Sequence, residues 1–119
     1  MKTIAVIEDS AEINNLIRKI LSTENFQSSQ YFSGSEVMEN LDQIVKNDLI
    51  LLDIMLPEVS GFQIYEEIMD KYPGAKEKIL FLTAKADLKT LEFFRSHDCK
   101  YITKPFDPYE LINTIKKFF

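Results

Sequence analysis

Three apolar runs, Ile4–Ile7, Leu49–Leu52 and Ile79–Leu82, continue without interruption and then break off at a residue that carries chemistry. A strand with one face in water alternates apolar and polar side chains, so a run that is apolar at every position must be covered on both faces. Helical periodicities separate these runs. Ile13, Leu16, Ile17, Ile20 and Leu21 follow the first, and Val37, Met38, Leu41, Ile44 and Val45 precede the second. Phe62, Ile64, Tyr65, Ile68 and Met69 follow the second, and Leu88, Leu91 and Phe94 follow the third. A short strand over Ser28 to Phe32 and another over Tyr101–Thr103 complete five strand–helix units, the last helix carrying Leu111, Ile112, Ile115 and Phe118. Strands alternating with helices predict an α/β domain whose parallel sheet has helices on both faces. Right-handed crossovers leave few topologies for it.

The punctuation agrees. Ser33-Gly34-Ser35-Glu36 has the spacing of a capping box, Gly61 opens a helix that stops near Pro73-Gly74, and Asp107-Pro108-Tyr109-Glu110 starts the last one with an N-cap and a proline at the first helical position. With 119 residues and no repeat, linker or low-complexity stretch, residues 1–119 are expected to form one domain. A net charge of −5 argues against direct nucleic-acid binding, which needs clustered Lys and Arg. The single cysteine, Cys99, excludes an internal disulfide and is expected to pack as a small, half-buried apolar residue. The lone histidine, His97, lies two residues away, and the strand pattern there gives no sign of a nucleophile–base pair. No apolar run approaches the ~18–20 residues that span a bilayer, and Met1-Lys2-Thr3 leads straight into a strand rather than a signal peptide. The expected location is the cytoplasm, with no membrane contact.

In open parallel sheets, ligands sit beyond the carboxyl ends of the strands, where strand order reverses. Four strands end there in reactive or charged residues: Glu8 and Asp9, Asp53, Thr83, and Lys104. Singly, each has an ordinary reading. Asp9 could cap the next helix through a box with Glu12, Thr83 could be a plain turn residue, and Lys104 a surface lysine. Asp53 is harder to dismiss, because a charge after four large apolar residues avoids burial unless something compensates it. Together they make chemical sense. Three carboxylates in one small site repel each other, and carboxylate oxygens with waters and a backbone carbonyl are what Mg²⁺ prefers. A lysine and a threonine add donors but no nucleophile–base pair. A carboxylate can itself attack phosphorus, with metal and lysine neutralising charge on the phosphoryl oxygens and positioning doing the rest.

The motifs Glu8-Asp9, Asp53-Ile54-Met55-Leu56-Pro57 with Gly61 eight residues after the aspartate, Thr83-Ala84 and Lys104-Pro105-Phe106 carry a resemblance. In this order and spacing the chain resembles, over its whole length, the receiver domains of bacterial two-component response regulators. The resemblance implies a doubly wound, flavodoxin-like (βα)5 fold with strand order 2-1-3-4-5. It implies Asp53 as phosphoacceptor, with a histidine kinase or phosphotransfer protein as donor. Mg²⁺ would be held by Glu8 through water, Asp9, Asp53 and the backbone carbonyl of Met55. Lys104 would bind a phosphoryl oxygen, Thr83 would swing inward to bond another, and Tyr101 would change rotamer as Thr83 moves. The Lys104–Pro105 bond would be cis. The response would appear on the face of the fourth helix, fifth strand and fifth helix, read by a partner or by a C-terminal output domain outside this chain. Such a domain assists its own phosphorylation and slow dephosphorylation, but is not an enzyme that turns over a separate substrate. A haloacid-dehalogenase-like phosphatase usually carries a second acid two residues after its nucleophile, where this chain has Met55, and needs a cap for which there is no room. A pseudo-receiver that only binds proteins typically lacks an acid, the aspartate or the lysine, and none is missing here.

Overall fold

The computed structural model describes residues 1–84 and 87–119. Five strands, β1 (Thr3–Ile7), β2 (Gln27–Tyr31), β3 (Leu49–Asp53), β4 (Ile79–Thr83) and β5 (Lys100–Thr103), form one parallel sheet in the order β2-β1-β3-β4-β5. The connections are α1 (Ala11–Thr23), α2 (Gly34–Glu39), α3 (Leu41–Ile44), α4 (Gly61–Lys71), a 3₁₀ turn over Pro73–Lys78, and α5 (Leu88–Ser96), with α6 (Pro108–Lys116) after β5. The parallel sheet with helices around it is what the apolar runs predict, and its doubly wound order is the one the resemblance implies.

Successive strand residues point to opposite faces, and the core divides accordingly. Ala5, Ile7, Ile50, Leu52 and Phe81 pack with Val37, Ile44, Ile64, Ile68 and Phe94 from α2 to α5. Ile4, Val6, Leu49, Leu51, Leu80 and Leu82 pack on the other face with Ile17 and Leu21 of α1 and Leu111, Ile112 and Ile115 of α6. Each of these side chains larger than alanine contributes about 1.5–3 kcal/mol when taken from water, before the entropy of ordering is subtracted. β3 and β4 are buried at every position, and β1 at all but its first. β2 lies at one edge with mixed polar residues, one residue earlier than its sequence predicts, and β5 begins at Lys100 rather than Tyr101.

Three local features depart from the expected pattern. The helix predicted between β2 and β3 is two short helices separated at Asn40. Its Nδ2 donates to the Glu36 carbonyl at 2.7 Å and its N–H to the Val37 carbonyl at 2.9 Å, and such side-chain bonds compete with helix continuation. At the start of α2, Ser33 Oγ accepts from the Glu36 N–H, but Glu36 reaches back to the Phe32 N–H rather than to that of Ser33. In α1, Leu16 is half exposed and Asn14 takes a fully buried position instead. Cys99 is half-buried. Among the described residues no helix is long and apolar enough to cross a membrane.

Candidate functional site

β1, β3, β4 and β5 all run out at the same rim of the sheet, and the register aligns their ends. Ile7 stands opposite Leu52, Asp53 opposite Leu82, and Thr83 opposite Thr103. The residues just past these positions are therefore neighbours although they are far apart in sequence.

After β1, Glu8 turns inward and is buried, while Asp9 is exposed at the rim. The cap of α1 is Ser10, whose Oγ accepts from the Ile13 N–H at 3.3 Å. The capping role open to Asp9 in the sequence thus belongs to its neighbour. The Ser10 N–H also donates to Glu8 Oε2 at 3.1 Å, so one residue starts the helix and holds an acid. Asp53 ends β3 with 2 % of its surface exposed, and its Oδ1 accepts from the Met55 N–H at 3.2 Å. The backbone of Met55 is thereby drawn to the site, while its side chain is exposed. Lys104 is anchored by its N–H, which donates to the Thr83 carbonyl at 2.8 Å, and the Lys104–Pro105 bond is cis. The lysine Nζ donates to Asp53 Oδ2 at 3.1 Å and to Glu8 Oε1.

Carboxylate oxygens of Glu8, Asp9 and Asp53 lie within 4.8 Å of one another. Among the described residues three carboxylates face one ammonium, which leaves two negative charges, two of the acids being almost fully buried. Such an excess is costly in a low-dielectric setting. A small divalent cation that favours oxygen donors removes it, so the donor set fits Mg²⁺ in charge and in kind. The same crowding acts on the ionisation. Partial burial, then the hydrogen bond and charge of Glu8, hold the Asp9 carboxyl above its ordinary value. Burial alone would lower Lys104, but the carboxylates of Glu8 and Asp53 outweigh it, and the ammonium is held above its ordinary value.

Two glycine positions seat the surrounding loops. A Cβ at Gly61 would stand 2.3 Å from the Asp53 carbonyl oxygen, and one at Gly34 would stand 2.5 Å from Val59 Cβ. The first turn of α4 therefore lies directly against the end of β3, and α2 against the loop that follows Asp53. Thr83 is buried at the end of β4. Tyr101 is 41 % exposed, its ring stacked on Phe94 of α5 with centroids 4.5 Å apart and planes 18° from parallel.

Glu8, Asp9, Asp53, Met55 and Lys104 are thus brought together, Thr83 is joined to them through the Lys104 backbone, and Tyr101 sits on the edge strand β5, stacked on Phe94. Three contributors are absent from the sequence reading: Ser10, Asn14, and the capping box of Ser60 with Gln63 that starts α4. A serine directly before a helical stripe was the available signal for Ser10. Asn14 gave a weaker one, lying three residues before the buried Ile17.

The family model described as "Response regulator receiver domain" matches residues 4–116. The chain is 37 % identical over 116 residues to Regulatory protein VanR of Enterococcus faecium, covering 95 % of this chain and 48 % of that protein. It is 33 % identical over 115 residues to Transcriptional regulatory protein ResD of Bacillus subtilis, covering 95 % of this chain and 46 % of that protein. The chain therefore spans about half the length of the curated relatives it matches. A crystal structure of a CheY-like response regulator receiver domain protein from Methanospirillum hungatei superposes with a TM-score of 0.83 at 26 % identity, covering 98 % of this chain and 92 % of that one.

Proposed function

Because the chain belongs to the response regulator receiver family of two-component systems, we propose that it is a signalling switch worked by phosphorylation of Asp53. The observation that carries this reading is the setting of that one carboxylate. It is buried at the end of β3, faces the Lys104 ammonium at 3.1 Å, and shares a pocket with two further acids. A carboxylate oxygen of Asp53 attacks phosphorus, and an O–P bond forms as the P–N bond to a donor histidine breaks and the imidazole leaves with the electron pair. The donor is a histidine kinase or a phosphotransfer protein.

Lys104 steadies the negative charge on the phosphoryl oxygens, and its anchorage on the Thr83 carbonyl keeps β4 and β5 in step with that charge. Glu8, Asp9, Asp53 and the Met55 carbonyl are the residues that would hold Mg²⁺, Glu8 through water, and the ion's chemistry there is neutralisation of the incoming charge. Thr83 turns its hydroxyl toward the phosphoryl group, and Tyr101 changes rotamer with it. Tyr101 is then lifted from its stack on Phe94, which alters the face of α5, β5 and α6. That face is read in the cytoplasm by a partner or by an output domain. The protein is its own substrate and is not an enzyme in the turnover sense.

Incubation with Mg²⁺ and acetyl phosphate, followed by intact mass measurement, tests the reading. One added phosphoryl group is expected, absent in Asp53→Asn and after EDTA. Labelling that survives Asp53→Asn would overturn the assignment.

A further inference from the structure

We infer that Asn14 is a positioning residue for Glu8, setting the direction in which that acid enters the metal pocket. The inference rests on the reading of the acidic cluster as a Mg²⁺ site. Asn14 lies in the first turn of α1 and is fully buried. Its Nδ2 donates to the Glu8 carbonyl at 2.9 Å and to the Tyr31 carbonyl at 3.1 Å. The Glu8 N–H donates to the same Tyr31 carbonyl at 3.1 Å. Both backbone polar groups of Glu8 are therefore tied, one to the end of β2 and the other to α1, with a single amide closing the triangle.

Glutamate has one more rotatable bond than aspartate and loses more side-chain entropy when it is fixed. It therefore needs a firmer base if its carboxylate is to reach one place. The Asp53 carboxylate is steadied by the N–H of Met55, in the loop that follows it. The Glu8 carboxylate accepts from the Ser10 N–H at 3.1 Å and from Lys104, and both contacts depend on where the Glu8 backbone sits. Asn14 fixes that backbone.

A second observation points the same way. Asn14 Oδ1 is buried and has no protein hydrogen-bond partner among the described residues. A buried acceptor without a partner is costly, and a leucine would fill similar space without it. The neighbours that share its buried stripe, Ile17 and Leu21, are apolar. Against the cost of that oxygen, the amide supplies the two donated bonds that tie down the Glu8 backbone.

The test compares Asn14→Leu with the wild type, and with Asn15→Leu on the exposed side of the same turn, by Mg²⁺ titration followed through amide NMR shifts and by thermal melts. Loss of a bond that orients a metal-site acid should weaken Mg²⁺ binding about tenfold. The melting temperature should stay within about 5 °C of wild type, because one orphaned acceptor replaces another. Before any Mg²⁺ is added, the Ser10 amide resonance should already move in Asn14→Leu while that of Met55 stays, and Asn15→Leu should change neither. Mg²⁺ affinity within about twofold of wild type, with the Ser10 amide unmoved, would overturn the inference. A wild type without a saturable Mg²⁺ response would defeat the metal reading, whereas a Ser10 shift in Asn14→Leu would still support the positioning of Glu8. If Asn14→Leu does not fold, Asn14→Ala takes its place. Failure of both to fold would make Asn14 a determinant of the fold, and the specific positioning role would be overturned.

Discussion

Replacing Gly61 with alanine should destabilise the protein, against the preference of the helix it opens. Gly61 does not have a positive φ, so the backbone conformation itself suits alanine, and helix propensity would favour the change by up to about 1 kcal/mol. The obstacle is space. The new Cβ would stand 2.3 Å from the Asp53 carbonyl oxygen and 2.7 Å from Ile54 Cα, where ordinary contact begins at 3.4 Å. Both neighbours are backbone atoms, so no side chain can swing aside. The start of α4 and the end of β3 must separate by roughly 1 Å, the difference between 2.3 and 3.4 Å. Overpacking of this kind costs about 1–3 kcal/mol, and a contact with backbone belongs at the upper end. The separation also stretches the bond from the Gly61 N–H to the Ile54 carbonyl, now 2.9 Å, which contributes about 0.5–1.5 kcal/mol. After subtracting the propensity gain, the net loss is about 3 kcal/mol. With a urea m-value of about 1–3 kcal/mol/M, the unfolding midpoint should fall by about 1–3 M. The displaced atoms belong to Asp53 and its successor, so acetyl phosphate labelling of the folded variant should slow as well. An alanine variant as stable as wild type, or more stable, would refute the steric reasoning.

Asp9→Asn should weaken Mg²⁺ binding more than Glu8→Gln does, because Asp9 is the expected direct ligand and Glu8 is expected to act through water; amide shift titrations that rank them equally or in reverse would reject this order. Lys104→Ala should still accept some phosphoryl group from acetyl phosphate, yet the amides around Tyr101 should no longer respond to beryllofluoride; a wild-type response in the variant would contradict the link between lysine and surface. The N–H of Thr3 at 2.8 Å, and secondarily its hydroxyl, hold the Asp48 carboxyl below its ordinary 3.8, so its contribution to stability is present above that pH and is lost as pH falls through the lowered folded value. Asp48→Asn should therefore be less stable than wild type at neutral pH, by under about 1 kcal/mol at so exposed a site. Urea melts should show this gap closing below pH 3.8, and a constant gap would count against the assignment.

The central strands were legible because β3 and β4 are covered on both faces throughout, which forces an apolar residue at every position. The rim was legible for the related reason that Asp53 interrupts such a run. β2 was read one residue late because an edge strand of Gln, Ser and Tyr carries no comparable constraint. The break at Asn40 was hidden because Leu41 and Ile44 rejoin the same core after it, so the apolar stripe continues across an interruption that the backbone does not survive. Counting only apolar residues assigned Leu16 to the buried face of α1 and overlooked Asn14, whose place is fixed by carbonyls 6 and 17 residues away. The roles of Thr83 and Tyr101 came from resemblance alone. The need for glycine at position 61 became physical only once the Asp53 carbonyl was seen in its path.

The pairing of Lys104 with Glu8 joins residues 96 positions apart, and that span gives the chain a history during synthesis. A ribosome releases β1, β3 and β4 before it releases β5. For that interval the nascent chain contains every acid of the pocket and lacks the lysine that offsets them. Until then the rim carries Glu8, Asp9 and Asp53 without the ammonium that faces two of them. A chain cut before Lys104 therefore depends more heavily on a bound cation to offset its clustered acids.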